Sequence, residues 1–168
     1  MSIVKTSMID EMKNKNLTII GGIIYVRYDG KAIACANGIN KKGIGFLPLN
    51  KCYIFDVKNC SNVYLEEILT NIFEDSLYYE EKKLELDIYR KNEIQKCINK
   101  DIRNKVIDKN KYLGINYCKS DKTDKFTVTD FQRDGKAWIG RGKNKWYFTK
   151  ENIDDFIKKI KELLYIEE

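Results

Sequence analysis

Residues 125–164 read KFTVTDFQRDGKAWIGRGKNKWYFTKENIDDFIKKIKELL, and their pattern decides the fold. Apolar and polar residues alternate over Phe126–Phe131, so the side chains of Phe126 and Thr127 point to opposite faces of a strand. Asp134-Gly135 follows, a dipeptide that tolerates the positive φ of a tight hairpin turn. The segment therefore begins as an antiparallel hairpin.

The same segment ends in a regular helical pattern. Two short strands are expected first, over Ala137–Gly140 and Lys145–Phe148. Thr149 then caps a helix whose apolar residues recur three and four positions apart, which places them on one buried face. These residues are Ile153, Phe156, Ile157, Ile160, Leu163 and Leu164.

The N-terminal part of the chain also predicts strands around a hairpin. Ser7 is expected to cap a short opening helix, with Asp10 three residues on. Two adjacent glycines, Gly21 and Gly22, predict a bulge in the first strand. The hairpin turn is Asp29-Gly30. The expected strands are Leu17–Tyr28, Lys31–Asn37, Gly43–Leu49 and Cys52–Val57.

Two helical patterns lie between these groups of strands. Ser61 or Asn62 caps the first, whose buried face is formed by Leu65, Ile68, Leu69, Ile72 and Phe73. The second has its apolar residues at Leu84, Ile88, Ile94, Ile98, Ile102 and Val106, with charged residues between them. Neither glycine nor proline interrupts the second pattern before Gly114.

These elements predict an α+β protein in which mainly antiparallel hairpins pack against three longer helices. Residues 1–168 are expected to form one compact domain, with sub-units 17–75 and 111–165 joined by a helical segment, 78–108. The tetrapeptide Asp-Gly-Lys-Ala occurs at 29–32 and again at 134–137. This repetition suggests a pseudo-duplicated sheet-and-helix unit.

The composition excludes several kinds of active site. The chain has no histidine, which removes Ser-His-Asp and Cys-His mechanisms and imidazole metal ligands. Its five cysteines form no CxxC pair, so we expect buried, reduced thiols rather than a zinc site or a disulfide framework. No glycine-rich phosphate-binding motif is present. The sequence therefore predicts no metal and no cofactor.

The hydrophobic segments are too short for a membrane protein. The longest apolar run, Leu17–Val26, contains two glycines and falls well below the roughly 20 residues of a membrane-spanning helix. The N-terminus shows neither an apolar signal core nor a cleavage site. We therefore expect a cytoplasmic protein without a membrane partner.

Charge is distributed unevenly along the chain, whose net charge is +6. Residues 90–119 contain nine basic and three acidic side chains, and residues 120–150 contain eight basic and four acidic ones. Residues 61–89 are acidic instead, with eight acids and two lysines. A basic sheet with acidic helices behind it is the arrangement that would attract a polyanion.

The candidate ligand surface is the second hairpin and the strand that leaves it. Binding single-stranded nucleic acid requires cations for the phosphates and aromatic faces for the bases. The cations expected to contact phosphates are Arg133, Lys136, Arg141, Lys143 and Lys145. The aromatic residues expected to stack on bases are Trp138, Trp146 and Tyr147. The alternative is that the tryptophans anchor the sheet against the closing helix.

Residues 125–164 resemble the strand-then-helix units of Pur-alpha-type and Whirly-type single-stranded nucleic-acid-binding proteins. The resemblance rests on the strand Phe126–Phe131, the Asp134-Gly135 hairpin, the Lys145–Thr149 segment and the helix after it. It implies a pseudo-repeated curved sheet with helices behind, and it covers about a quarter of the chain. The helical insert 78–108 departs from a plain repeat.

A metal-dependent nuclease is the enzymatic alternative. Tyr53–Lys58 is an apolar strand that ends in Asp-x-Lys. In the restriction-endonuclease-like family, such a strand and an upstream acid hold a divalent cation, while the lysine helps to activate water. Asp29, Asp56 and Lys58 match that order.

A small interaction or inhibitor protein of a phage or mobile element is the third hypothesis. The acidic stretch Glu66–Asp87 is the surface that such a protein would present to a basic partner. The sequence distinguishes neither DNA from RNA as ligand nor one oligomeric state from another.

Overall fold

The computed structural model describes residues 3–39, 46–79, 97, 100–119, 124–134 and 137–165. Within these ranges, the side chains of residues 39, 46–50, 108–110, 132–134 and 137–143 are not described. The named elements are α1 (Thr6–Asn14), β1 (Ile19–Arg27), β2 (Lys31–Ile39), β3 (Phe46–Asp56), α2 (Asn62–Tyr78), β4 (Ile107–Cys118), β5 (Lys125–Asp134), β6 (Ala137–Phe148) and α3 (Ile153–Leu164).

The six strands form one antiparallel sheet in the order β3-β2-β1-β4-β5-β6. Together with the three helices, this sheet confirms the predicted α+β fold. Helix α2 packs on β1 and β2, and α3 packs on β5 and β6. We call the side of the sheet that contacts α2 and α3 the helix face, and the other side the opposite face.

The sheet is built from two similar units. In each unit three antiparallel strands are followed by a short 3-10 turn, Val57–Asn59 or Lys150–Asn152, and then by a helix. The units meet where β1 pairs with β4, in unbroken register from Ile19↔Cys118 to Tyr25↔Tyr112. The mirrored strand order therefore relates the two units by a pseudo-twofold axis between β1 and β4.

The repeated tetrapeptide does not mark equivalent positions in the two units. Asp29-Gly30-Lys31 forms the turn between β1 and β2, the first hairpin of its unit. The second copy, at 134–137, lies between β5 and β6, the second hairpin of its unit. The two units therefore repeat the same order of strands and helix, whereas the tetrapeptide occurs at two turns that are not equivalent.

Two strands are longer than their sequence pattern predicts. The expected pairs Gly43–Leu49 with Cys52–Val57, and Ala137–Gly140 with Lys145–Phe148, each correspond to one continuous strand, β3 or β6. Residues 40–45 lie outside the described part of the chain. Both strands are at an edge of the sheet. An edge strand can accommodate a proline such as Pro48, because only one of its sides pairs with another described strand.

The predicted bulge at Gly21 and Gly22 is wrong. Both residues are in regular register with β4, and the irregularity lies between Tyr25 and Arg27. The glycines instead allow close packing, since a Cβ atom on Gly22 would fall 2.7 Å from Ile72 Cγ2 of α2. Glycine at this position lets α2 approach the sheet closely.

The helix starts match the sequence expectations in part. The Ser61 hydroxyl accepts the Tyr64 N–H at 3.2 Å, which confirms Ser61 as the N-cap of α2. Helix α1 has Lys5 rather than Ser7 at its N-cap. Thr149 precedes a 3-10 turn, and α3 begins only at Ile153.

Most of the second predicted helix, 84–106, lies outside the described residues. Residues 100–103 are helical. The sequence pattern predicted that this helix extends to Val106. The helix ends earlier, because Lys105 has a φ of 56° and Val106 leads directly into β4. The Val106 carbonyl accepts the Tyr28 N–H at 2.8 Å, which ties this turn to the end of β1.

The main core lies between the sheet and α1, α2 and α3. It contains the residues predicted for the buried faces of α2 and α3, including Leu69 and Phe156. A smaller cluster lies on the opposite face, where Ile102 packs on Tyr25, Ile33 and neighbouring side chains. Apolar side chains of the sheet are therefore covered on both faces.

The five cysteines are free, but not all are buried as expected. Cys35 and Cys60 are buried, Cys52 and Cys118 are half-buried, and Cys97 is exposed. Burial raises the pKa of the Cys35 thiol to about 12, so this thiol stays protonated at neutral pH.

In the described residues, no helix combines the length and the apolar composition that crossing a membrane requires.

One buried serine joins α2 to two strands. The Ser76 hydroxyl accepts the Gly21 N–H at 3.0 Å and donates to the Asn37 carbonyl at 2.7 Å. Ser76 is fully buried, so no water can replace these bonds if the hydroxyl is removed.

Ser76→Ala is expected to lower the free energy of unfolding by about 2–3 kcal/mol, because two buried backbone groups lose their partner. Urea unfolding followed by far-UV circular dichroism measures this loss. Thr70→Ala is the matched control, since the Thr70 hydroxyl donates to the Glu66 carbonyl within the same helix, α2. Equal stability of the two variants would show that the serine bridge contributes nothing.

Tyr25 connects β1 to the helical turn at 100–103. Its hydroxyl donates to Asp101 Oδ2 at 3.2 Å, and both residues are buried. Burial, followed by the charge of Asp101, raises the pKa of Tyr25 above its ordinary value of 10.0. The folded protein thus holds this phenol neutral.

The pKa of the Tyr25 phenol is higher in the folded state than in the unfolded state. The neutral phenol therefore stabilises the fold below pH 10, and this stabilisation is lost as the pH rises further. Tyr25→Phe should therefore cost about 1 kcal/mol at pH 8, through loss of the hydrogen bond, and reduce the decline in stability above about pH 10. Urea unfolding at pH 8 and at a pH above about 10 measures the effect. Exposed Tyr28→Phe serves as the control, and the prediction fails if both variants lose stability with pH as the parent does.

Candidate nucleic-acid interface

Adjacent aromatic residues of β6 lie on different faces of the sheet. Trp146 pairs with Val128, which belongs to the core on the helix face. The ammonium of Lys159, from α3, lies 4.3 Å from the centroid of the Trp146 ring. Tyr147 pairs with Thr127 and points to the opposite face. Trp146 and Tyr147 therefore cannot contact one ligand on the same face.

Tyr147 is the centre of a basic patch on the opposite face. Its side chain is 59% exposed. The ammonium groups of Lys145 and Lys125 lie 5.4 and 5.7 Å from the centroid of its ring. Both lysines are exposed. We call Lys125, Lys145 and Tyr147 the Tyr147 patch.

Lys125 was not among the residues that the sequence analysis selected. The strand alternation contained the signal, because Lys125 has the same parity as Thr127, whose register partner is Tyr147. The sequence analysis selected residues only between Arg133 and Tyr147. It therefore missed Lys125, a cation on the neighbouring strand β5.

The remaining predicted contact residues are placed only in part. Arg133 lies on β5 in register with Trp138 on β6, and Arg141 and Lys143 also lie on β6. The side chains of these four residues lie outside the described part of the structure. Lys136 lies outside it altogether.

β6 is irregular immediately before the Tyr147 patch. The paired positions Thr129↔Lys145 and Phe131↔Gly140 are separated by one residue on β5 but by residues 141–144 on β6. Arg141 and Lys143 thus belong to a bulge at the sheet edge. Bulges change the direction of side chains and are common beside functional sites. Burial raises the pKa of Asp130, the single residue opposite the bulge.

Helix α2 and the Tyr147 patch carry charges of opposite sign and lie on opposite faces of the sheet. Helix α2 contains four acidic residues and no basic ones, and it packs on the helix face. The Tyr147 patch, on the opposite face, carries two lysines and no acid. The prediction was a basic sheet with acidic helices behind it. Helix α2 is acidic, whereas α3 contains three acidic residues and three lysines.

The acidic stretch proposed as a protein-binding surface is partly occupied within the chain. Glu74 lies 3.8 Å from the Lys5 ammonium. Asp75 accepts the Tyr53 hydroxyl at 2.6 Å and lies 3.5 Å from the Lys51 ammonium. Residues 80–87 of the stretch lie outside the described residues.

The residues of the nuclease hypothesis lie near one end of the sheet. Asp29 accepts the Lys31 N–H at 3.1 Å in the turn, and Asp56 Oδ1 lies 3.0 Å from the Lys31 ammonium. Lys58 is exposed in the 3-10 turn after β3. Lysine, rather than a third oxygen ligand, is the partner of Asp56. Among the described residues, no three Cys, Asp or Glu side chains form a group suited to a metal ion.

Comparisons with known proteins give no match: no protein-family model matches this chain, and searches of curated proteins and of solved structures find no significant similarity.

Asp56→Asn is expected to change the free energy of unfolding by less than about 0.5 kcal/mol, because Asp56 and Lys31 are both about half exposed. Magnesium should have the same effect on the Tm of this variant and of the parent. Asp75→Asn is the comparison and should cost about 1 kcal/mol, since it weakens the bond from Tyr53. A magnesium-induced rise in Tm that Asp56→Asn abolishes would instead support the nuclease hypothesis.

Proposed function

We propose that this protein binds single-stranded DNA or RNA, without cleaving it, through the Tyr147 patch. One observation carries the proposal: an exposed tyrosine ring lies between two exposed ammonium groups on the face away from α2 and α3. A base can stack on such a ring while the lysines contact the phosphates on either side.

The sequence next to the patch extends its basic character. Arg141 and Lys143 precede Lys145 on β6, and Arg133 and Lys136 lie at or near the turn between β5 and β6. A nucleic acid strand held at Tyr147 would continue along this edge of the sheet, since β6 is the last strand of the sheet in the described part of the chain. Trp138 belongs to the same strand and is the second proposed stacking residue.

Trp146 has another role in this proposal. Its ring lies on the helix face, where the Lys159 ammonium of α3 lies over it. This matches the alternative in which a tryptophan anchors the sheet. Stacking on the opposite face is therefore assigned to Tyr147 rather than to Trp146.

We keep the resemblance to Pur-alpha-type and Whirly-type proteins as a hypothesis. That resemblance implies a pseudo-repeated sheet with helices behind it. Two three-strand units, each followed by a helix and joined where β1 pairs with β4, form such an arrangement. The membership itself is part of the proposal.

Fluorescence anisotropy with labelled single-stranded DNA, single-stranded RNA and duplex DNA, at two salt concentrations, tests the proposal. We expect single strands to bind more tightly than the duplex and binding to fall steeply with salt. A denaturing gel after addition of magnesium should show intact strands. Absence of binding at low salt would overturn the proposal and leave a protein partner as the hypothesis to test.

Variants of the patch separate stacking from charge. Tyr147→Ala should cost about 1–3 kcal/mol of binding free energy because a stacked base is lost. Lys125→Gln combined with Lys145→Gln should reduce the slope of log K against log salt by about 1.4, the value for two phosphate contacts on a single strand. Arg141→Glu combined with Lys143→Glu should also weaken binding strongly.

Lys13→Gln combined with Lys158→Gln is the matched control, because these exposed lysines lie on α1 and α3. It removes the same charge and should leave the salt slope unchanged. If the control and the patch variant reduce the slope equally, net charge rather than the Tyr147 patch is responsible for binding.

A further inference from the structure

A cavity of about 470 Å³ lies on the opposite face, at the other end of the sheet from the Tyr147 patch. It is enclosed by β1, β2 and β3 on one side and by residues near the helical turn 100–103 on the other. Its volume is within the range of pockets that bind small molecules. The Tyr147 patch contributes no residue to it.

The apolar residues of the cavity wall form one row across three strands. Tyr25 pairs with Ile33, and Ile33 pairs with Ile54, so the three side chains follow one another across β1, β2 and β3. Two interstrand spacings of about 4.8 Å make this row about 10 Å wide. Ile54 is 59% exposed although it is a large aliphatic side chain. Tyr25 and Ile33 are buried beneath Tyr112, Ile102 and neighbouring side chains, so the apolar surface open to a ligand is mainly that of Ile54.

The polar wall of the cavity carries more positive than negative charge. Arg27 and Lys100 supply two cations, and Asp101 supplies one carboxylate. The carboxylate already has partners in the protein, since Asp101 accepts the Tyr25 hydroxyl and lies 4.0 Å from Arg27. Lys100 is exposed, and no ion pair is formed by it among the described residues.

Arg27 also has an unused hydrogen-bond donor. Its Nε atom is buried and makes no hydrogen bond to any part of the described structure. The nearest carboxylate oxygen, Asp29 Oδ2, lies 3.9 Å away, beyond hydrogen-bond distance. Buried donors are nearly always paired, so this unpaired donor of a residue in the cavity wall is available to a ligand acceptor.

We propose that this cavity binds a small organic anion with an apolar ring. The apolar part packs on the exposed side chain of Ile54, and the acidic group is held by Arg27 and Lys100. This inference is independent of the proposed nucleic-acid binding, because it uses none of the same residues.

The fluorescent sulfonate 1-anilinonaphthalene-8-sulfonate is a suitable probe because it combines planar aromatic rings with one negative charge. We expect it to bind the folded protein in a 1:1 complex with increased emission. N-phenyl-1-naphthylamine has similar rings without the charge and should bind at least about tenfold more weakly. Equal affinity for the two probes would overturn the assignment of an anion site.

The position of the bound probe can be measured at Cys97, which is exposed and lines the cavity. Labelling of Cys97 by N-ethylmaleimide, followed by peptide mass spectrometry, should slow when the sulfonate is bound. Labelling of half-buried Cys118, outside the cavity, should not change. An unchanged rate at Cys97 would place the probe elsewhere and contradict the proposal.

Two variants test the charged groups. Arg27→Met and Lys100→Ala should each weaken sulfonate binding about tenfold and leave N-phenyl-1-naphthylamine binding unchanged. Lys100 is exposed, so Lys100→Ala keeps the test valid if Arg27→Met does not fold. Lys158→Ala, on α3, is the control and should not alter either affinity. Unchanged sulfonate binding by Lys100→Ala and Arg27→Met would refute the proposed roles of these cations.

Discussion

Ile23 of β1 pairs with Gly114 of β4 at the centre of the sheet, and the other strands are added outward from this pair. Gly114 has no side chain, and a Cβ atom there would fall 2.5 Å from the ring of Phe131 on β5. Phe131 also meets Tyr112 edge to face, and Tyr112 stacks on Tyr25. A row of aromatic rings over β1, β4 and β5 thus joins the two units on the opposite face.

The elements that were predicted well are those with a regular pattern of apolar residues in their own sequence. The apolar residues of α2 and α3 recur at helical spacing, and these side chains are buried. The outer strands were predicted less well, because Pro48 and Gly140-Arg141-Gly142 look like strand breaks in the sequence. An edge strand tolerates both, since only one of its sides is paired. The order of the strands in the sheet could not be predicted, because a local sequence pattern does not show which strands pair.

In the candidate site, too, only the features that depend on a local sequence pattern could be predicted. Alternation alone separates Trp146 from Tyr147, and it was sufficient to show that both could not lie on one face. The choice between them depends on which face α3 covers, and this is set by tertiary packing. Likewise, the contribution of Lys125 to the patch depends on the β5–β6 register. The cavity walls combine Arg27 with Lys100, residues brought together only by the fold.

The symmetric junction between β1 and β4 has a consequence for folding kinetics. Its paired residues are roughly 90 positions apart, whereas β1–β2 and β4–β5 are joined by short connections. Each three-strand unit can gather its own contacts before the two halves meet. The rate of folding is then governed by the closure of this long loop, and the edges of β1 and β4 stay open to other chains until it occurs.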